Sequence, residues 1–288
     1  MANDLDTLWP SYLAHKIKGI PLVFDAHEIF CEVLELKARP VPYKVWKTLE
    51  KLLLPKVEKA YTVNQGLAEY YAQHYGTKMT VVRNLSPFRS RVDIYPDLLK
   101  GIYGIKRILI LQGSGINRGR GAEEAVQMMQ YLPDFVLLFV GSGDVFEQLK
   151  QQRLELGLSS RVLFLDRMPY AEMMKYTAMA DLGLSVDKNC SLNQELSLPN
   201  KVFDYIQARI PLMVTDRPLV ADLVRRHEIG FVLNNLDPKE MAETVRAELG
   251  AFDQVKKWKK NLDKAAEQLN WEKESRKLDQ IYAPLLER

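Results

Sequence analysis

The sequence predicts an α/β protein built on parallel, doubly wound sheets. Three observations lead there. Short, unbroken apolar runs recur along the chain, as strands buried on both faces do. Amphipathic stretches separate them in near-strict alternation, the order of β-α-β units. The composition, 47% apolar and 27% charged over 288 residues, is ordinary for globular protein and ample for more than one domain.

Met1 to Asn3 fits the last residues of a strand, and Pro21 to Asp25 (PLVFD) is the first clear one, ending in an acid. Ala60 to Val63 and Met79 to Val82 follow. Alternation fails once, between Asn84 and Lys106, where Pro87, Pro96, Gly101 and Gly104 interrupt mixed charges; that stretch reads as the crossing between two α/β units. Six further strands are expected at Arg107 to Leu111, Phe135 to Val140, Val162 to Leu165, Asp181 to Leu184, Pro211 to Val214 and Gly230 to Val232. Helical patterns fill the intervals, among them Ala122 to Tyr131, Val145 to Leu156 and Met241 to Leu249. From Asp253 onward the chain is helical and charged, with Trp258, Trp271, Leu278, Ile281, Tyr282 and Leu285 as a sparse apolar stripe. The expected division is an incomplete first domain over 1–87, a complete second domain over 88–269 and a terminal helix over 270–288.

Forty basic against thirty-seven acidic residues leave +3, too mild a balance to argue for nucleic acid. Cys31 and Cys190 lie far apart with no C-x-x-C spacing, which points to a cytoplasmic protein without a disulfide frame. No apolar run reaches the ~18 residues of a membrane span, and the first residues lack the basic and apolar regions of a secretory signal.

Three motifs bear chemistry. In the first, Leu111-Gln-Gly113-Ser-Gly115-Ile-Asn117-Arg118-Gly119-Arg120-Gly121, a strand runs into a glycine-rich turn and then a helix. Glycines let backbone approach a ligand, and Arg118 and Arg120 add fixed positive charge suited to a diphosphate. The spacing is neither the dinucleotide fingerprint nor the Walker pattern, so a plain loop with solvated arginines competes with this reading. The second motif is Ser197-Leu198-Pro199-Asn200-Lys201-Val202-Phe203-Asp204-Tyr205. Pro199 fits a first helical turn, with Asn200 and Lys201 beside it. A lysine opposes the helix dipole there, which suggests an anion nearby. Asp204, one turn on, is a natural partner for ribose hydroxyls, and Val202, Phe203 and Ile206 would form a separate core face. In the third, Asp25-Ala26-His27-Glu28, His27 stands at the carboxyl end of a strand, where ligands bind in open α/β sheets. Alone, such a histidine is more often structural.

Asp4-Leu5-Asp6 tempts a metal reading but precedes an apolar helical pattern, where either acid makes a helix N-cap. No cluster with metal-ligand spacing stands out, and no metal is expected. Lys37 to Lys59 carries seven basic residues around Trp46, Leu49 and Leu52 to Leu54. A basic amphipathic helix of this kind suits an anionic membrane surface; packing on the sheet through its leucines is the simpler alternative.

Taken together and in order, these motifs resemble the retaining, GT-B-fold glycosyltransferases of family 4, the group 1 transferases of bacterial polysaccharide synthesis. The resemblance covers nearly the whole chain and implies two Rossmann-like domains facing across a cleft, the donor on the second and the acceptor on the first, with the final helix crossing back to the first. It implies a nucleoside-diphosphate sugar as donor, a saccharide or lipid-linked acceptor, and no cofactor; with the cytoplasmic place read from the cysteines, the basic stretch 37–59 is the part that could lie peripherally at the inner membrane face. By similarity, Arg120 contacts the donor diphosphate, with Gly113 and Arg118 beside it. Ser197, Asn200 and Lys201 form the loop and helix start beneath the phosphates. Asp204 holds the ribose, and His27 reaches the transferred sugar. Asp204 replaces a usual glutamate, and Leu196 stands where the family often has another. The family's first domain begins before the point matching Met1, so self-association, or a partner chain completing that domain, is a further expectation. The implied reaction is hexosyl transfer with the departing phosphate as base. Two alternatives are a non-catalytic nucleotide-binding remnant or subunit of a split transferase, and a nucleotide-sugar epimerase of the same fold.

Overall fold

The computed structural model describes residues 1–90 and 107–286. Residues 91–106, most of the stretch read as the crossing, lie outside the described residues. The chain divides into two units, each with its own sheet and core. The first comprises Met1–Leu85, Cys190–Ser197 and Trp271–Arg288; the second comprises Ser86–Asn189 and Leu198–Asn270.

The first unit holds four strands: β1 (Ala2–Asn3), β2 (Val23–Ala26), β3 (Lys59–Thr62) and β4 (Thr80–Val81). They lie side by side in that order, all parallel. Phe24, Ala26 and Ala60 face one layer of helices, where Leu5, Leu8, Leu53, Leu67 and Tyr71 close the core. Val23, Tyr61 and Val82 face the other layer, which the terminal helix Arg276–Leu286 covers with Leu278, Ile281, Tyr282 and Leu285. A bidentate pair fixes that helix's approach: Arg83 Nη2 donates to Glu274 Oε2 at 2.7 Å and its Nε to Oε1 at 3.2 Å.

The segment Cys190–Ser197 was expected in the second domain and belongs to the first unit instead. Leu192 and Leu196 pack on the first core. Asn193 clamps the backbone of one residue of the first unit, accepting from the Ile29 N–H at 2.8 Å and donating to the Ile29 carbonyl at 3.1 Å. The helix Pro40–Leu53 buries Leu53 and Glu50 and turns Val41, Lys44, Val45, Lys51 and Leu52 outward, so the basic stretch packs on the first core and carries both lysines and apolar residues on its solvent side. Among the described residues no helix is long and apolar enough to cross a membrane.

The second unit holds all six expected strands: β5 (Arg107–Gly113), β6 (Phe135–Gly141), β7 (Val162–Leu165), β8 (Leu182–Ser185), β9 (Leu212–Thr215) and β10 (Gly230–Leu233). Their order is β10-β9-β8-β5-β6-β7, all parallel. Every residue of β6 is buried, as its apolar run demands. Trp258 of the helix Phe252–Gln268 stacks on Phe231 with ring centroids 5.8 Å apart. The apolar stripe of the tail is thus split, Trp258 serving the second core and Ile281 the first. In the second sheet, strand order reverses between β5 and β8, and open α/β sheets bind ligands outside the carboxyl ends of the strands at such a point.

Candidate functional site

The glycine-rich loop leaves β5 at Gly113, beside that reversal, and hydrogen bonds hold both its flanks. The Ser142 N–H donates to the Gly113 carbonyl at 3.1 Å, and the Ile116 N–H to the Ser142 carbonyl at 3.0 Å. The Arg118 N–H donates to Asp144 Oδ1 at 3.0 Å, and the Asp144 N–H to Asn117 Oδ1 at 3.1 Å. On the other side, the Lys188 N–H donates to the Gly119 carbonyl at 2.8 Å. Gly121 ends the loop at φ +70°, and a Cβ there would stand 2.1 Å from the Val186 carbonyl oxygen. The loop is therefore pressed against the end of β8 as only glycine allows.

That closeness brings Arg120 to Asp187, just past β8, which is wholly buried. Arg120 Nη1 donates to Asp187 Oδ1 at 3.0 Å, and Lys201 Nζ lies 3.7 Å from the same oxygen. Arg217 Nη2 donates to Oδ2 at 3.2 Å, and so does Ser185 Oγ at 3.2 Å. Thr215 Oγ1 donates to the Asp187 carbonyl at 2.7 Å, tying the ends of β8 and β9 together. Burial alone would raise the Asp187 carboxyl; Lys201, Arg217 and Arg120 overcome it and hold the group below the usual carboxylate range. Burial pushes the Lys201 ammonium down, Asp187 opposes, and the two arginines push the same way as burial. Three cations thus share one carboxylate in a poorly solvated place, an excess of two positive charges. Such an excess is costly unless an anion joins it.

Asp187 and Arg217 escaped the sequence reading. Both stand just beyond the carboxyl ends of neighbouring strands, and that position was their only signal. The anion inferred from a lysine at a helix start is present as Asp187. Lys201 is the second residue of the helix Asn200–Ala208, Asn200 is exposed at its first position, and Pro199 precedes the helix instead of opening it. Arg118 projects an exposed side chain.

Asp204 differs from expectation. Every residue from Val202 to Ala208 is buried, so the helix has no separate polar face there. The Asp204 carboxylate accepts from Ser86 Oγ at 2.7 Å and Tyr170 OH at 2.8 Å on Oδ1, and from Gln112 Nε2 at 3.0 Å on Oδ2. Gln112 in turn accepts from Thr177 Oγ1 at 2.6 Å. Burial pushes the Asp204 carboxyl up, and these donors pull it partly back. The residue expected to hold ribose hydroxyls is here engaged by protein donors from outside its own helix.

In the first unit His27 stands past β2, its side chain 45% exposed, with Nε2 3.1 Å from Asp25 Oδ2. Its N–H donates to Asp4 Oδ1 at 2.8 Å. Asp4 therefore does not cap the helix it begins; it ties β1 to the loop after β2. Ser197, in the Cys190–Ser197 segment of the first unit, donates its hydroxyl to the Gln194 carbonyl at 3.0 Å. The hydrogen bond to Asp25 raises the His27 pKa, burial lowers it, and Asp4 and Glu28 add to the rise. A raised folded-state pKa means this contact's stabilisation is complete below the ordinary histidine value near ~6.5 and is lost as pH rises through the folded value. Replacing Asp25 with asparagine should lower the imidazole titration midpoint followed by NMR. An unmoved midpoint would show that Asp25 does not control His27.

A family model described as glycosyl transferases group 1 matches residues 103–271. Among solved structures, the sucrose-phosphate synthase of Thermosynechococcus elongatus superposes with a TM-score of 0.79 at 15% identity, over 99% of this chain and 72% of that one. HepE of Anabaena, in complex with UDP, gives 0.76 at 16% identity, over 98% and 77%. WaaG, a glycosyltransferase involved in lipopolysaccharide biosynthesis, gives 0.66 at 16%, over 95% and 81%. At these identities the likeness is one of fold, the two-domain GT-B architecture.

Proposed function

The chain belongs to the group 1 glycosyl transferases, and from that premise we propose that it moves a hexosyl group from a nucleoside-diphosphate sugar to a saccharide or lipid-linked acceptor, with retention of configuration. The supporting observation is the cluster of Arg120, Lys201 and Arg217 around buried Asp187, with its excess of two positive charges. As the glycosidic bond breaks, negative charge grows on the departing diphosphate. Cations fixed in advance in a poorly solvated site stabilise that charge more in the transition state than in the ground state. In this reading side-chain cations do the work that a metal ion does elsewhere, Arg118 and the Gly113 turn line the same anion site, and Asn200 presents its side chain at the helix start. Asp204 acts through Tyr170 and Gln112, positioning the groups around the nucleoside. His27 orients the transferred sugar. The uridine nucleotide bound by HepE of Anabaena makes UDP-sugars the first donors to try.

The test incubates purified protein with UDP-hexoses and saccharide acceptors, free in solution or displayed on anionic vesicles, with and without EDTA. Nucleoside diphosphate release coupled to an α-linked product, undiminished by EDTA, is expected; greater turnover on vesicles would support a membrane role for the helix Pro40–Leu53. Free isomerised nucleotide-sugar would identify an epimerase, and donor binding without turnover a non-catalytic subunit. Absence of nucleotide binding would overturn the proposal.

A further inference from the structure

We propose that Asp187, backed by Arg217, is a built-in counter-anion that sets how tightly this site grips a diphosphate. It positions Arg120 and Lys201 and withholds part of their charge, so that the leaving group can depart after transfer. The inference rests on the diphosphate reading above and adds to it a residue that opposes binding.

The geometry separates front from back. The Arg120 side chain is 33% exposed, Lys201 12% and Arg217 2%, while Asp187 is wholly buried between them. Arg120 and Lys201 share Oδ1, and Arg217 takes Oδ2. Arg217 immediately precedes the helix Pro218–His227, where the helix dipole disfavours a cation, and Asp187 offsets that cost. A ligand's phosphates would meet Arg120 and Lys201 first and would compete with Oδ1 for them. Wild-type protein offers three cations less one carboxylate. Asp187→Asn would offer one positive charge more, Arg217→Gln one fewer, and the double variant the original count.

Charge count therefore predicts an order of affinity. By calorimetry with inorganic diphosphate and with UDP, Asp187→Asn should bind about 10-fold tighter than wild type. Arg217→Gln should bind about 10-fold weaker, and the double variant close to wild type. Binding of uridine, which lacks phosphate, should not change in any of them. In turnover, Asp187→Asn should lower both kcat and KM for the donor, because product leaves slowly. A merely structural Asp187 would give weaker diphosphate binding on substitution, and a folded Asp187→Asn that binds equally or more weakly overturns the inference. If Asp187→Asn does not fold, Arg217→Gln and the double variant decide: equal affinity in Arg217→Gln and wild type overturns it. If wild type binds neither inorganic diphosphate nor UDP, the diphosphate reading itself fails.

Discussion

Replacing Arg120 with alanine is expected to weaken nucleoside diphosphate binding by about 1.5–3 kcal/mol, roughly 10- to 150-fold, the usual worth of a charge-assisted hydrogen bond in a partly desolvated site. Arg120 is the most exposed of the three cations around Asp187 and the one a ligand meets most readily. Its removal leaves Asp187 paired with Lys201 and Arg217, so the fold should persist and the loss should appear in binding and turnover. Arg120→Lys keeps the charge without the planar fork and should fall between wild type and alanine. Calorimetry with the nucleoside diphosphate reads both variants, and unchanged affinity in Arg120→Ala would remove the arginine from the site.

Gly121→Ala should destabilise the second unit by about 3 kcal/mol or more. Two costs combine: a left-handed backbone at φ +70°, worth roughly 1–2 kcal/mol, and a methyl group set 2.1 Å from the Val186 carbonyl oxygen, which forces apart loop and strand end. Gly157 isolates the first cost, since its φ is +67° but nothing lies within 4 Å of its added Cβ. Gly157→Ala should therefore lose only about 1–2 kcal/mol in chemical denaturation. Equal losses in the two variants would show that the contact with Val186 yields cheaply. A specific loss at Gly121 should also displace Arg120 from Asp187 and weaken diphosphate binding.

Much of this was readable in residue order. Strands such as FVLLFV are legible because burial on both faces leaves no room for polar residues. β1 was barely legible, because two residues make too short a pattern. Arg120 and Lys201 could be found because each breaks a local expectation, one among glycines and the other at a helix start. Asp187 and Arg217 break none: Val-Asp-Lys and Asp-Arg-Pro look like solvated turns, and only the pairing of β8 with β5 and β9 draws them together. Asp204 was assigned a ligand-facing pose by analogy, yet its direction depends on Ser86 and Gln112, remote in sequence. Ser197 shows the same limit, since periodicity does not reveal that Leu192 and Leu196 pack on the first core.

The terminal helix covering Val23, Tyr61 and Val82 also bears on the order of events during synthesis. Residues 1–85 leave the ribosome before the rest of this sequence, but among the described residues one face of their sheet is covered by Leu278, Ile281, Tyr282 and Leu285. The segment that anchors at Ile29 likewise arrives late, with Asn193. The second unit, by contrast, has all its described strands once Leu233 is made, and its last two helices, Pro238–Gly250 and Phe252–Gln268, follow. The later-made unit should thus be able to mature before the earlier one. Contacts spanning some two hundred residues, as between Arg83 and Glu274, form slowly because the intervening chain must first be closed into a loop. The nascent first unit then waits with an apolar face uncovered, and chaperone dependence should concentrate there until the helix Arg276–Leu286 docks.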